Sequence, residues 1–300
     1  MSKEEPILLT PKLSPTEKGA QFFFLACAIV ALGQMFLITV FLLAEAGGLL
    51  ATVSLPEFLF SKEWYPTYRP PEFGALALIL GSVAVTICSS LIAAPVGLAL
   101  AVYLSCLAGR RVRELAKPAV ELMAGIPSVV LGFIGLVVVA PFLQETLDLP
   151  TGLNVLNASV ILAVMAIPSI ASLGEDALTA VPRDVQDASY ALGATRWETI
   201  FKVTVPAATS GLSTAVILGL GRALGETLVV LMVAGGAAQI PTSIFDSVRP
   251  LTATLAAEMG ETAIGSAHYH ALFALGVVLF VLTMAFNLLA YWLGRRWRRG

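Results

Sequence analysis

Six long runs of apolar residues alternate with polar segments along this 300-residue chain. A bilayer core of about 30 Å is crossed by a helix of about 20 apolar residues, so each run is long enough to span it. The pattern therefore predicts an all-α, polytopic membrane protein with six transmembrane helices. The runs lie at residues 22–44, 73–107, 118–143, 155–173, 207–238 and 267–293.

Composition supports this class and argues against others. The chain is 57% hydrophobic and only 13% charged, whereas soluble domains carry about 25% charged residues. So few ionic groups cannot cover a water-facing surface, which almost excludes a soluble enzyme. Disordered chains need low hydrophobicity, and the net charge of −2 gives no basic field that would attract nucleic acid.

The basic residues are distributed unequally over the polar segments. Of the 18 Lys and Arg residues, 14 lie on the side of the predicted topology that carries both termini, and three lie on the opposite side. Basic loops stay in the cytoplasm, so both termini are predicted to be cytoplasmic. The opposite, outer side carries nine acidic residues. This acidic face would repel a small anion, so an anionic cargo would need another molecule to deliver it.

The fifth apolar run contains the remaining basic residue, Arg222, and one acidic residue, Glu226. Residues four apart share one face of a helix, so we expect them to form an ion pair. Charged side chains in a membrane usually face the bundle interior or water, and guanidinium suits phosphate-type oxyanions. Arg222, Glu226, Thr227 and Ser128 are therefore candidates for a substrate path. The alternative is a salt bridge that only locks helices together, with the hydroxyl groups acting in helix packing.

The polar segment at residues 174–206 separates the fourth and fifth runs. Residues 184–197 have a helical amphipathic pattern that is interrupted at Gly193. Such a helix either lies at the lipid interface or docks into a groove on a cytoplasmic partner. The segment also contains a group of residues at defined spacing. They are Asp187, Ala188, Ser189, Gly193, Val203, Val205 and Pro206.

This spacing resembles the signature loop of ABC importer permeases, in which Glu-Ala-Ala, Gly, Ile and Leu-Pro occupy the equivalent positions. The resemblance implies that these residues form the coupling loop that docks on an ATPase subunit, with Gly193 allowing the turn after the helix. It also implies the six-helix, MetI-like bundle of type I importers. The implied organisation is a cytoplasmic tail at 1–18, the first transmembrane helix and outer loop at 19–73, the permease domain at 74–293, and a basic cytoplasmic tail at 294–300.

The chain has no Gly-x-x-x-x-Gly-Lys-Ser/Thr phosphate-binding loop. ATP must then be bound by another polypeptide. We therefore expect a transporter permease subunit that has no cofactor and no catalytic site of its own.

Four further stretches resemble the PstC-type permeases of bacterial phosphate importers. They lie at residues 58–82, 124–132, 221–227 and 249–259. The resemblance implies phosphate import across a bacterial inner membrane. The implied partners are a second, PstA-like permease, two PstB-like ATPase subunits and a PstS-like phosphate-binding protein outside the membrane. The alternatives are another oxyanion, such as molybdate or sulfate, and an ion-coupled secondary carrier.

Three other side chains are interpreted as parts of the membrane interface. His268 and His270 lie beside Tyr269 without nearby Cys or carboxylate ligands, which is a weak metal signal. We expect them to lie at the interface. Trp64 either contacts a binding protein or lies on the lipid headgroups, and the headgroup position is the default expectation.

Overall fold

The computed structural model describes residues 15–297. Residues 1–14 of the predicted N-terminal tail and residues 298–300 of the basic tail lie outside this range. Within it, six helical segments are long and apolar enough to cross a membrane, which confirms the predicted number of spans. These segments are Lys18–Ala51, Leu76–Leu107, Ser128–Leu147, Val155–Thr179, Arg196–Leu224 and Ala267–Leu289.

The described chain is mainly helical. Single π-helical turns at Tyr103–Leu107, Gly135–Val139 and Ile200–Thr204 lie within the second, third and fifth spans. Short 3-10 turns occur at Gly48–Ala51 and Met259–Glu261. The α-helices are α1 (Pro15–Gly47), α2 (Leu55–Phe60), α3 (Leu76–Val102), α4 (Arg110–Ala124), α5 (Ser128–Ile134), α6 (Ala140–Leu147), α7 (Val155–Thr179), α8 (Arg183–Ala191), α9 (Arg196–Thr199), α10 (Val205–Leu224), α11 (Leu228–Val233), α12 (Leu251–Glu258) and α13 (Ala267–Trp297).

Helix α7 forms the centre of the bundle, between α3 and α10. Small residues on its neighbours let the backbones approach closely, as is typical of membrane helix packing. A Cβ atom added at Gly219 of α10 would lie 2.3 Å from Ile170 Cγ1, and one added at Gly97 of α3 would lie 2.8 Å from Ile170 Cβ. Ile170 is fully buried as a result.

Two of the predicted spans are shorter than expected because the chain breaks within them. The third run was expected from residue 118, but α4 ends at Ala124 and a new helix begins at Ser128. A proline disfavours the helical conformation of the residue that precedes it. At this break, Pro127 follows Ile126. The fifth run was expected to reach residue 238, but α10 ends at Leu224, and α11 resumes at Leu228.

A two-stranded hairpin covers one end of the bundle, which we call the hairpin end. Strand β1 (Trp64–Tyr65) pairs in antiparallel fashion with β2 (Glu72–Phe73), with Trp64 opposite Phe73. Both aromatic side chains are buried in a cluster that includes Leu78 of α3. The opposite end carries α8 and α9 and is called the coupling-loop end. The two ends differ in their polar clusters.

Candidate functional site

Arg222 lies in the last turn of α10, beside the break at residues 225–227. Its guanidinium is exposed, and it bonds to two other helices. Nη1 donates to Ser169 Oγ of α7 at 3.4 Å, and Nη2 donates to the carbonyl oxygen of Ala124 at 3.2 Å. Ala124 is the last residue of α4. Arg222 therefore connects the ends of two interrupted helices with the central helix.

The predicted ion pair between Arg222 and Glu226 is wrong. The helix ends at Leu224, two residues before Glu226, so the two side chains do not share a helical face. Glu226 instead accepts a 3.5 Å hydrogen bond from the backbone nitrogen of Val229, at the start of α11. Its own carbonyl oxygen accepts a 2.9 Å hydrogen bond from Thr252 Oγ1. Glu226 thus stabilises the break rather than neutralising Arg222.

The two hydroxyl candidates lie at the starts of the two resumed helices. Thr227 directly precedes α11, and its Oγ1 donates to the Gly225 carbonyl oxygen at 3.3 Å. Ser128 is the first residue of α5 and is half-buried. The two short helices pack together through Gly132, where an added Cβ would lie 2.9 Å from Met232 Sδ. The structure therefore brings the breaks of the third and fifth spans close to one another.

The coupling loop has the predicted helix and the predicted turn. Helix α8 carries Asp187 and Ala188 on its exposed surface. Gly193 has a φ of 84°, in the left-handed region that glycine adopts without steric cost. Ser189 is buried, and its Oγ lies 2.9 Å from Thr199 Oγ1 of α9. This hydrogen bond fixes the two short helices against each other.

The segment between the fourth and fifth spans is shorter than the predicted range of 174–206. Helix α7 continues to Thr179, and α9 begins the fifth span at Arg196. Val203 therefore lies in a π-helical turn of that span, and Val205 and Pro206 form the first residues of α10. These three residues shape the start of the fifth span and do not lie in the turn itself.

The loop exposes apolar side chains at its tip. Leu192 is 91% exposed, and the exposed ring of Trp197 stacks on Phe201 with centroids 5.8 Å apart. Clustered exposed apolar residues mark an interaction surface with protein or membrane. The loop is also fixed to the second span, because the Arg196 guanidinium donates to the carbonyl oxygens of Cys106 and Leu107.

Sequence reasoning missed a buried carboxylate at the coupling-loop end. Glu175 of α7 is fully buried and forms ion pairs with Arg113 and Lys117 of α4. Lys117 Nζ lies 2.6 Å from Glu175 Oε2 and 2.6 Å from Asp176 Oδ1. The pKa of Lys117 is raised, mainly by its hydrogen bond with Asp176 and next by its hydrogen bond with Glu175. We call Glu175, Asp176, Arg113 and Lys117 the inner ion cluster.

A second missed cluster, the outer ion cluster, surrounds Glu258 at the hairpin end. Its carboxylate accepts a 3.0 Å hydrogen bond from Trp64 Nε1 and lies 2.7 Å from Arg249 Nη1 and 2.8 Å from His268 Nε2. Trp64 is only 2% exposed. The headgroup position expected for Trp64 is therefore wrong, because its side chain is buried within the protein. The cluster borders an open cavity of about 560 Å³.

Comparison with known proteins shows the family to which the chain belongs. The family of binding-protein-dependent transport system inner membrane components matches residues 93–299. The chain belongs to this family. It is therefore an ABC importer permease, and its six apolar helices make it a multi-pass inner-membrane protein.

Individual relatives agree with this family. The permease is 44% identical over 273 residues to a probable ABC transporter permease, YqgH, of Bacillus subtilis, covering 90% of this chain and 88% of that protein. It is 38% identical over 277 residues to the phosphate transport system permease protein PstC of Mesorhizobium japonicum, covering 86% of this chain and 84% of that protein. The signature loop and the PstC-type stretches were thus correct indicators of the family.

Solved structures confirm the MetI-like fold. The permease resembles a subunit of a bacterial alginate ABC transporter with a TM-score of 0.63 and 16% identity, covering 93% of this chain and 96% of that one. It resembles a chain of the MetNI methionine ABC transporter with a TM-score of 0.56 and 24% identity, covering 72% of this chain and 93% of that one.

Proposed function

We propose that this permease is the PstC-like subunit of an ATP-driven phosphate importer. The coupling-loop end faces the cytoplasm together with both termini, and the hairpin end faces outward. Phosphate crosses between two permease bundles while separate ATPase subunits bind and hydrolyse ATP. The chain itself performs no chemistry and holds no cofactor.

The observation that carries this proposal is the charge of Arg222. Its guanidinium is exposed at a break inside the bundle, and no carboxylate of residues 15–297 pairs with it. Its two acceptors, Ser169 Oγ and the Ala124 carbonyl oxygen, are neutral. A phosphate oxyanion binds guanidinium through charge-assisted, bidentate hydrogen bonds, so it displaces these acceptors readily. Identity of 33–38% to several proteins named as phosphate permeases supports phosphate as the anion.

The partners follow from the two ends of the bundle. The exposed surface of α8 and Leu192 is the docking surface for an ATPase subunit, and a second, PstA-like permease completes the path. The hairpin end carries nine acidic residues of the sequence but only three basic ones. This charge disfavours the direct approach of free phosphate. A phosphate-binding protein therefore delivers it to this face.

Transport in a strain that lacks this permease tests the proposed substrate. Re-expression of the chain with its partners should restore growth on limiting phosphate and uptake of labelled phosphate. Excess unlabelled phosphate should abolish that uptake, whereas sulfate and molybdate should leave it unchanged. Absence of phosphate uptake, together with restored uptake of labelled molybdate or sulfate, would assign the permease to another oxyanion. Transport by the chain alone in liposomes would instead show a secondary carrier.

A further inference from the structure

Helix α4 is held in the bundle in an unusual way. None of its residues is buried, so apolar packing contributes little to its position. Polar contacts hold it instead, at Arg113 and Lys117 and at its last residue, Ala124. An α-helix rises about 1.5 Å per residue, so these two sites are about 10–17 Å apart along the helix axis.

The first site is the inner ion cluster. Arg113 Nη2 donates to both Glu175 Oε1 and Thr179 Oγ1 of α7, the second bond at 2.9 Å. Lys117 bonds to the other Glu175 oxygen. A buried charge that loses its partner is strongly destabilising, so α4 has to follow α7 while Glu175 is charged.

The inner ion cluster is also connected to the coupling loop. Thr179 Oγ1 lies 3.2 Å from Ser105 Oγ, in the π-helical turn at the end of the second span. In the same turn, the carbonyl oxygens of Cys106 and Leu107 accept hydrogen bonds from the Arg196 guanidinium. Arg196 begins α9, which the Ser189–Thr199 hydrogen bond fixes to α8. A continuous polar network therefore runs from the coupling loop to α4.

The second site is the break that holds Arg222. The last residue of α4, Ala124, supplies the carbonyl oxygen that accepts Arg222 Nη2 at 3.2 Å. A displacement of α4 along its axis therefore moves one of the two acceptors that compete with an anion for this guanidinium.

We propose that α4 is a continuous helical element that links the coupling loop to Arg222, and that Glu175 is the positioning residue that makes α4 move with the coupling-loop end of α7. This inference rests on the proposed function, because it assigns Arg222 to the substrate path. When the ATPase subunits move the coupling loop, the inner ion cluster transmits the motion to α4. The far end of α4 then brings the Ala124 carbonyl oxygen to Arg222 or withdraws it. Polar contacts suit this task, since they re-form without exposing apolar surface.

The variant Glu175→Gln tests the link in the complete transporter, reconstituted in proteoliposomes with its permease, ATPase and binding-protein partners. It keeps the side-chain volume and removes the charge. Arg113 and Lys117 are partly exposed and stay hydrated, so the complex should assemble. We expect ATP hydrolysis to continue while uptake per ATP falls about tenfold, within the usual range of coupling between sites. The matched control is Glu114→Gln, because Glu114 pairs with Arg110 within α4 alone; its uptake per ATP should stay at the wild-type value.

A distance measurement separates coupling from a general loss of structure. Spin labels are placed at Leu115 of α4, which is 77% exposed, and at Lys202, whose side chain is 73% exposed in the π-helical turn after α9. Both positions lie outside the docking surface proposed for the ATPase subunit. In the otherwise unchanged protein, their separation should be the same with and without trapped ATP, because α4 and the coupling loop move together. In the Glu175→Gln background, ATP should shift or broaden the distance distribution.

Two results would overturn the proposal. One is wild-type uptake per ATP in Glu175→Gln, and the other is an ATP-dependent change of the label separation in the chain with Glu175 intact. If Glu175→Gln does not assemble, Arg113→Gln decides. It keeps the buried Glu175 paired with Lys117 but removes the hydrogen bond to Thr179 that connects α4 to the polar network, so it should broaden the same distances. The label measurement needs no phosphate, so it distinguishes failure of this link from failure of the proposed substrate.

Discussion

Helices α7 and α4 meet at the inner ion cluster, yet they are held in place by different forces. Helix α7 packs against α3 and α10 through glycines and is largely buried. Helix α4 buries none of its residues and is fixed by polar contacts with Glu175 and Arg222. Apolar packing at close range resists displacement, whereas exposed polar contacts can exchange partners. The difference suggests that α7 forms a closely packed scaffold with α3 and α10, and that α4 follows the coupling-loop end of α7 through polar contacts.

The largest expected effect comes from disturbing the scaffold. In Gly219→Ala, the new Cβ would lie 2.3 Å from Ile170 Cγ1, so α10 and α7 must separate. Overpacking of this kind costs about 1–3 kcal/mol, and the thermal unfolding midpoint of the purified permease should fall. The matched control is Gly221→Ala, whose nearest contact is 3.7 Å from Asn287 Oδ1. Equal midpoints for the two variants would argue against α7 as a tightly packed scaffold.

A smaller effect is expected at the turn that joins the coupling loop to the network. Gly193 has a φ of 84° with nothing within 4 Å of an added Cβ, so a substitution there introduces backbone strain alone. Gly193→Val should destabilise the turn by about 1–2 kcal/mol and weaken ATPase binding, measured as the amount of ATPase subunit that co-purifies. Gly193→Asn should bind nearly normally, because asparagine tolerates this conformation. Normal ATPase binding by the valine variant would contradict a docking role for this turn.

The hydrogen bond between α8 and α9 should contribute less still. Ser189→Ala leaves the buried Thr199 hydroxyl without its partner, which costs about 1 kcal/mol. The free energy of unfolding should fall by this amount. The double variant Ser189→Ala, Thr199→Val should recover most of it, since both polar groups are then removed. An additive loss in the double variant would show that the 2.9 Å contact carries no coupling energy.

The smallest effect is expected for the exposed pair on α4 itself. Arg110 and Glu114 are an i, i+4 pair with both side chains mostly exposed. Such pairs contribute about 0.3–0.5 kcal/mol, so Glu114→Gln should leave the unfolding midpoint within experimental error. A large fall would mean that α4 depends on its surface charges as well as on its contacts with Glu175 and Arg222.

The sequence predicts those parts of the fold that depend on local patterns. Hydropathy alone gives the six spans, and the spacing around Gly193 gives the coupling turn. The Arg222–Glu226 pair was wrong because periodicity does not show where α10 ends, and the break at Gly225 removes the shared face.

The ion clusters were missed for a different reason. Glu175 lies 62 residues from Arg113, and Glu258 lies 194 residues from Trp64. No local sequence pattern shows that either carboxylate binds several side chains, because only tertiary packing brings these partners together. An acidic residue at the end of a long apolar run, as Glu175 is, is the one available signal.

The most direct test of the account is phosphate uptake by the reconstituted transporter with Arg222→Gln. Uptake of labelled phosphate and release of ADP are measured together in proteoliposomes. Arg222→Lys is the comparison variant, because it keeps the positive charge but loses the planar guanidinium that can bind an oxyanion through two hydrogen bonds. The account predicts that Arg222→Gln assembles and hydrolyses ATP but imports no phosphate, and that Arg222→Lys retains partial uptake. Wild-type phosphate uptake by Arg222→Gln would contradict it.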